Sequence, residues 1–386
     1  MILFQSTWDY FSPFIVWLVG YFFINFSLSR IIKLNKKRVL ILYLWHSFWA
    51  IIYIILTLLY GNDSLLYFAR AQESDLEFKI GTAAIVYITY FLNQKIYLSF
   101  LSIYAFFNII GTFGLIIFDS IIRELNRVPK NLNWIINLLV FLPSVSFWSC
   151  AIGKDGIAFT AIIFFLWASL EIKKRLFFNL FSVIMMFLVR PHIAIIMIFS
   201  ILIGFILSSK IKPLPKLFLT LFISVVTSYI LIQALGYLGI DNINEINTFY
   251  DKRANLNLSG SIEYNKDEYP LLLSMISYII RPSIFDINGP LALFAAIENT
   301  IISFLIFITT LYIIKGKRLP KNSKTSFSLL LTYFFTSLAL LASTTSNLGI
   351  AMRQKWMFMP IFIYIMIAIL NKKFKLVAIR KLNNIG

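Results

Sequence analysis

Charge is what this chain has least of. Only 13% of its 386 residues are Asp, Glu, Lys or Arg, where a soluble domain carries about 25%. Together with 59% hydrophobic residues, that deficit excludes an ordinary water-soluble domain and makes lipid the solvent. Acidic residues are the scarcer sign, 17 against 35 basic ones, for a formal net charge of +18. Cysteine is nearly absent. Cys150 stands alone in an apolar run, so no disulfide framework can form within the chain and the thiol reads as packing. Histidine occurs only at His46 and His192, in different apolar segments. No Cys/His/carboxylate group has ligand spacing, so neither a metal nor another cofactor is expected. Walker, HExxH and contextual GxGxxG and GxSxG sequences are missing. A basic stripe with interleaved aromatics is missing too, which removes nucleic acid as a partner. There is no fixed-period repeat and no inverted pair of broken helices of the transporter kind. No basic stretch precedes the first apolar run, so the N-terminus reads as a retained span rather than a cleaved signal peptide.

What is present is apolar sequence in long pieces. A helix crosses the hydrocarbon with about 20 apolar residues, because lipid offers its backbone no hydrogen-bond partner. The segments 10–28, 39–60, 97–120, 134–151, 156–170, 176–189, 193–209, 217–239, 290–314, 325–344 and 358–371 fit. The expectation is an all-α, polytopic transmembrane bundle of about eleven spans in a single membrane domain, 1–386. The basic residues fall in clusters between the spans: 30–38, 123–130, 173–175, 210–216, 315–324 and 372–381. Placing all six clusters in the cytoplasm gives an external N-terminus and an internal C-terminus. Counting 79–95 as a span would turn two clusters outward, so it is read as an amphipathic helix on the outer interface, within a first external loop, 61–96. A long external loop, 240–289, carries Asp241, Glu245, Asp251, Glu263, Asp267 and Glu268. The spans 156–170 and 176–189 give only about 21–23 Å of helix against about 30 Å of hydrocarbon. Their outer ends should open into a recess that holds Lys154, Asp155, Arg190 and His192.

Several ionisable residues fall on the outer side. Asp63, Tyr67 and Arg70 follow a span at helical spacing. Asp63 reads either as a carboxylate poised to take a proton from a hydroxyl or as a helix N-cap. Asp155 favours the start of the helix that follows it, whereas Lys154 opposes the dipole. A cation at membrane depth is a functional-site hypothesis, and mutual neutralisation at a turn is the plainer reading. Arg190 has no acidic neighbour in sequence, so it needs a distant partner, a ligand, or headgroups to snorkel to. Arg281 repeats the Arg-Pro pairing of Arg190. Glu298, with Asn299, lies about two turns inside a span and should face a cavity or pair with a basic residue of another helix. Arg353 and Lys355 are the external charges of the last outer loop and read as anion-binding or as anchoring beside Trp356. Arg70, Lys154, Arg190, Arg281, Arg353 and Lys355 all break the positive-inside pattern. Together they ask for an anion on that side, a phosphate or pyrophosphate carried by a lipid.

The D-x-x-x-Y loop at 63–67, the run LPSVSFWSCAIGKD at 142–155, the RPH turn at 190–192, the stretch from RPSIFDINGP to ENT at 281–300, and NLGIAMRQKW at 347–356 resemble Wzy-type repeat-unit polymerases of O-antigen and capsule assembly. A carboxylate loop followed by an outer helix is also similar to GT-C glycosyltransferases. The first resemblance implies transfer of a glycan from one undecaprenyl-pyrophosphate-linked oligosaccharide to the sugar of another. It implies the periplasmic face of a bacterial inner membrane, no metal, and a chain-length regulator as a further partner beside membrane lipid. It implies Asp63 as the base and Arg190 and Arg281 on the pyrophosphate, with Lys154, His192 and Arg353 behind them. The expected catalytic group is thus Asp63, Lys154, Asp155 and His192. The expected substrate-binding group is Arg70, Arg190, Arg281, Glu298, Arg353 and Lys355. Two rivals remain: a GT-C enzyme adding a single sugar from a polyprenyl-phosphate donor, and a lipid-linked oligosaccharide flippase. The second would need charges lining a route through the midplane, where the spans have almost none.

Overall fold

Backbone that lies in lipid must satisfy its own polar groups, and helices do so within one segment. The computed structural model describes residues 6–29, 32, 35–73, 76–125, 133–209, 211–237, 270–287, 289–314, 324–345 and 347–370. Among them helix dominates and no β-strand occurs. Seven helices are long and apolar enough to cross a membrane, the first six being Trp8–Leu28, Lys36–Tyr60, Phe100–Leu125, Pro191–Ser208, Pro213–Ile230 and Ala292–Ile314. Phe327–Thr344 is the seventh among the described residues, and the pair Leu348–Met357 and Met359–Leu370, bent by 59°, passes the same test together, as a broken span or a re-entrant loop. The chain is therefore an all-helical multi-pass membrane protein. The acidic residues of the long loop and the basic residues at 30, 33, 127, 130, 210, 315–321 and 372–381 lie outside the described residues.

The helices group into two compact units. The first comprises Met1–Glu124, Trp134–Ala168 and Leu176–Pro191; the second comprises Leu125–Asn133, Ser169–Arg175 and His192–Gly386. In the first unit the helices are α1 (Trp8–Ser29), α2 (Lys36–Tyr60), α3 (Asp63–Arg70), α4 (Thr82–Tyr90), α5 (Phe100–Leu125), α6 (Asn133–Val140), α7 (Pro143–Ser149), α8 (Lys154–Leu170) and α9 (Leu176–Val189). The segment 134–151, expected as one span, is broken: Pro143 opens α7 at a position where its ring and missing N–H are tolerated. At 14 and 17 residues, α9 and α8 are as short as the sequence indicated.

Residues 79–95 depart from expectation in character. Helix α4 has no polar face; Ala84, Ile85, Val86 and Thr89 are buried, and it packs on α3 and α9. The sequence TAAIVYITY is apolar on every side, so burial in protein suits it better than an interface with water on one flank.

A polar seam runs through the first unit. His46 bonds Asn108 Oδ1 through Nδ1 (2.6 Å) and Ser149 Oγ through Nε2 (3.0 Å). Asn108 donates to Ser47 Oγ, which also receives Trp17 Nε1. Gly111 makes the close approach of α5 possible. A Cβ there would stand 2.3 Å from the Ser149 carbonyl oxygen and 2.7 Å from His46 Cε1. Gly111→Ala should therefore cost about 1–3 kcal/mol through overpacking, read as a lower unfolding temperature in detergent. Gly289→Ala, where a Cβ meets nothing within 4 Å, should leave that temperature unchanged.

The second unit holds α10 (Pro191–Ser208), α11 (Pro213–Tyr237), α12 (Leu271–Ile280), α13 (Pro290–Ile314), α14 (Lys324–Thr344), α15 (Leu348–Gln354) and α16 (Met359–Leu370). Helix α12 packs on α14 and α13, and α16 packs on α13 and α14. Phe334 stacks on Phe362 with ring centroids 4.4 Å apart. Tyr333, fully buried, donates to the Met357 carbonyl at the break before α16.

Candidate functional site

In the first unit the sequence builds three helix starts side by side. Helix α2 closes at Gly61, whose φ of 69° is a left-handed value that glycine adopts without strain. The chain turns at once into α3, where Asn62 is the N-cap: its side chain accepts from Ser64 N. The cap expected at Asp63 thus falls one residue earlier, and Asp63 occupies the first turn, near the positive end of the dipole. Asn62 Nδ2 also donates to Thr57 Oγ1, which is bonded to the Tyr104 hydroxyl. Ser64 Oγ donates to Ile152 O (2.9 Å), tying α3 to the turn that precedes α8. Lys154 Nζ reaches Thr82 Oγ1 at the start of α4 (2.9 Å). Gly81 N donates to Leu188 O (2.8 Å), fastening the end of α9 to the same region.

Arg190 is the centre of this group. It follows α9 directly and is 8% exposed. One guanidinium nitrogen, Nη2, lies 2.6 Å from Asp155 Oδ1. Its Nε is buried and has no hydrogen-bond partner among the described residues. The distant partner that the sequence required is therefore the acidic residue at the start of α8, 35 positions earlier. Asp63, Lys154, Asp155 and Arg190 are gathered at one end of the first unit. Arg70 is not among them: it ends α3, exposed.

The second unit gathers another set. Lys355 is 3% exposed, not at the surface as its place in an outer loop implied. Its three ammonium hydrogens serve Asn299 Oδ1 (2.8 Å), Ile279 O (2.9 Å) and Arg281 O (3.0 Å). Glu298, 4% exposed, acts on it electrostatically. Asn299 Nδ2 donates to Pro282 O (2.8 Å), so the Lys355–Asn299 pair pins the chain on both sides of the Arg281–Pro282 bond. Arg281 itself is engaged by Asp286: Nε–Oδ2 is 3.1 Å, and Nη2 contacts Oδ1. Ser283 adds a backbone N–H and a hydroxyl to Asp286 Oδ2, each at 2.7 Å. The Arg281 guanidinium holds the Asp286 carboxyl down at about 2, with Ser283 helping and burial opposing. Asp286 thus stays ionised at any working pH. Arg353 lies in the last turn of α15, half-buried, and His192 in the first turn of α10, half-buried. Nearby, Ser274, Ser277, Tyr278, Thr345 and Asn347 line a small open depression.

One charged centre escaped the sequence reading. Asp119, 5% exposed in α5, is forked by Arg38 (Nη2–Oδ1 2.8 Å) and approached by Arg123 Nε (3.0 Å). Arg38 also lies 4.6 Å over the Phe141 ring. The signal was an aspartate one turn before Arg123 near the end of an apolar run; it was overlooked because its main partner is 81 positions away.

No family model, no curated protein and no solved structure matches this chain.

Proposed function

We propose that the chain is a membrane glycosyltransferase of the oligosaccharide-polymerase type, joining undecaprenyl-pyrophosphate-linked repeat units. The observation that carries the reading is Arg190. A guanidinium nine-tenths buried, anchored on one side by Asp155 and with an Nε–H still unspent, is a preorganised donor for an anion. In a site shielded from water such donors act strongly on developing negative charge. Lys154, one residue from Asp155, supplies a second cation, and Asp63 adjoins Ser64, whose hydroxyl holds the Ile152 carbonyl in the same turn.

The proposed chemistry follows. The hydroxyl oxygen of the acceptor sugar attacks the anomeric carbon of the donor and gives its proton to Asp63. The anomeric C–O bond to the pyrophosphate breaks, and the lipid pyrophosphate leaves with its charge held by Arg190 and Lys154. Arg281, already shared with Asp286, is the weaker choice for that role, and Lys355 is a structural cation. The reading carries eleven spans in a bacterial inner membrane, with the N-terminus outside, the C-terminus inside and this end of the first unit facing the periplasm.

The test is deletion in the native host, read on a gel of surface polysaccharide. Loss of the high-molecular-weight ladder with one repeat unit retained is expected. An unchanged ladder would overturn the polymerase reading, and loss of a single sugar would point to a GT-C transferase instead.

A further inference from the structure

In water a helix hides its apolar side; α12 does the reverse. It buries Ser274 and Tyr278, with Ile279 the one apolar aliphatic beside them, and exposes Leu272 and Ile276 at 67% and 47%. Ten residues give about 15 Å of helix, half the hydrocarbon thickness, so α12 cannot cross. The chain then runs through Arg281 into a 3-10 turn, Ile284–Asp286. Here Ile284 is 63% exposed and Phe285 97%. Such a tip would be a poor solution in water and a mobile one if left loose. This one is held firmly. Asp286 closes a capping box with Ser283 and receives the Arg281 fork, while Lys355 and Asn299 hold the carbonyls of Arg281 and Pro282 from beneath.

We infer that residues 271–287 form a wedge whose apolar tip, Ile284 and Phe285, inserts into the lipid at the bilayer interface beside the start of α13. The occupant of this surface is lipid acyl chain, for two reasons. Phe285 lies five positions before Pro290, the first residue of a membrane-crossing helix. At no more than about 3.6 Å per residue, the tip stays within about 18 Å of that crossing point. The apolar surface also continues from the tip onto α13, where Leu293, Phe294 and Ile297 are 44%, 44% and 51% exposed. The cover available from within the chain is the segment 238–269, with nine charged residues among its 32, and the experiment below separates it from lipid. A bulky aromatic with a charged layer behind it is the pattern by which proteins sit at a membrane interface. The inference is independent of the catalytic reading.

The experiment is a nitroxide on Phe285→Cys in the full chain, reconstituted in phosphatidylcholine nanodiscs. Native Cys150 is fully buried, so the label goes to the new thiol. Collision rates with oxygen and with a neutral nickel chelate report depth. The oxygen-to-nickel ratio should be several-fold higher than for a label at Glu77→Cys, whose parent side chain is 79% exposed. Free nickel access equal to that at Glu77 would place the tip in water and overturn the inference. Low access to both reagents would mean that protein covers it, either 238–269 or a second copy, and would overturn it equally. Ile284→Cys repeats the measurement should the first variant fold poorly.

Discussion

Replacing Arg190 by lysine should reduce chain extension by about 100-fold or more while the protein still accumulates in the membrane. Lysine keeps the charge but not the planar fork. It can hold Asp155 or reach outward, but it cannot do both as the guanidinium does with Nη2 on Asp155 and Nε free. Loss of one preorganised donor to a developing anion typically costs 10² to 10³ in rate, about 2.7–4 kcal/mol. Arg190→Ala should lose activity entirely, and stability besides, because Asp155, with only 11% of its side chain exposed, would lose its contact with the guanidinium. Breaking a buried pair by removing one partner costs about 3–5 kcal/mol. Arg190→Gln with Asp155→Asn separates the two effects: stability should largely return and extension should not. The measurements are a polysaccharide ladder for activity and an unfolding curve in detergent for stability. If Arg190→Lys extends chains at the wild-type rate, the arginine has no part in the chemistry.

Lys355→Met should be among the most destabilising single changes in the second unit. Its ammonium meets three oxygen acceptors and offsets Glu298. Methionine fills similar space but leaves all three acceptors unpaired, at about 1–3 kcal/mol for each buried group that finds no water. It also removes the cation whose field reaches Glu298. These terms overlap, so the expected loss is at least about 3 kcal/mol rather than their sum. Adding Glu298→Gln should recover part of it by removing the carboxylate that the ammonium acts on. A drop in unfolding temperature for Lys355→Met and partial recovery in the double variant would bear this out. Equal stability of all three proteins would show that Lys355 is not held as described. The pH behaviour of Asp286 does not interfere, since its carboxyl near 2 stays charged wherever a membrane protein can be handled.

Both variants turn on pairs that no local pattern reveals. Local sequence did indicate where a span could run. It also showed why α8 and α9 are short and why Arg190 and Glu298 needed partners. It could not say that Arg190 would find Asp155 or that Lys355 would sink into the protein. The amphipathic pattern expected of 79–95 is missing over Thr82–Tyr90 for a related reason: an apolar nine-residue helix looks alike whether it lies against lipid, water's edge or another helix, and only its packing on α3 and α9 shows what covers it.

The sequence by itself determined that lipid is the solvent, that the chain is helical, and which few charges stand outside the basic clusters. Those properties follow from composition and from the length of uncharged runs, which act residue by residue through transfer free energy. Only the tertiary structure decided which polar group meets which: Asp155 with Arg190 at a separation of 35, Asn299 with Lys355 at 56, and Arg38 with Asp119 at 81. In a low-dielectric interior a charge must be matched at contact distance, and contact between distant segments is a property of how helices pack, not of any segment alone.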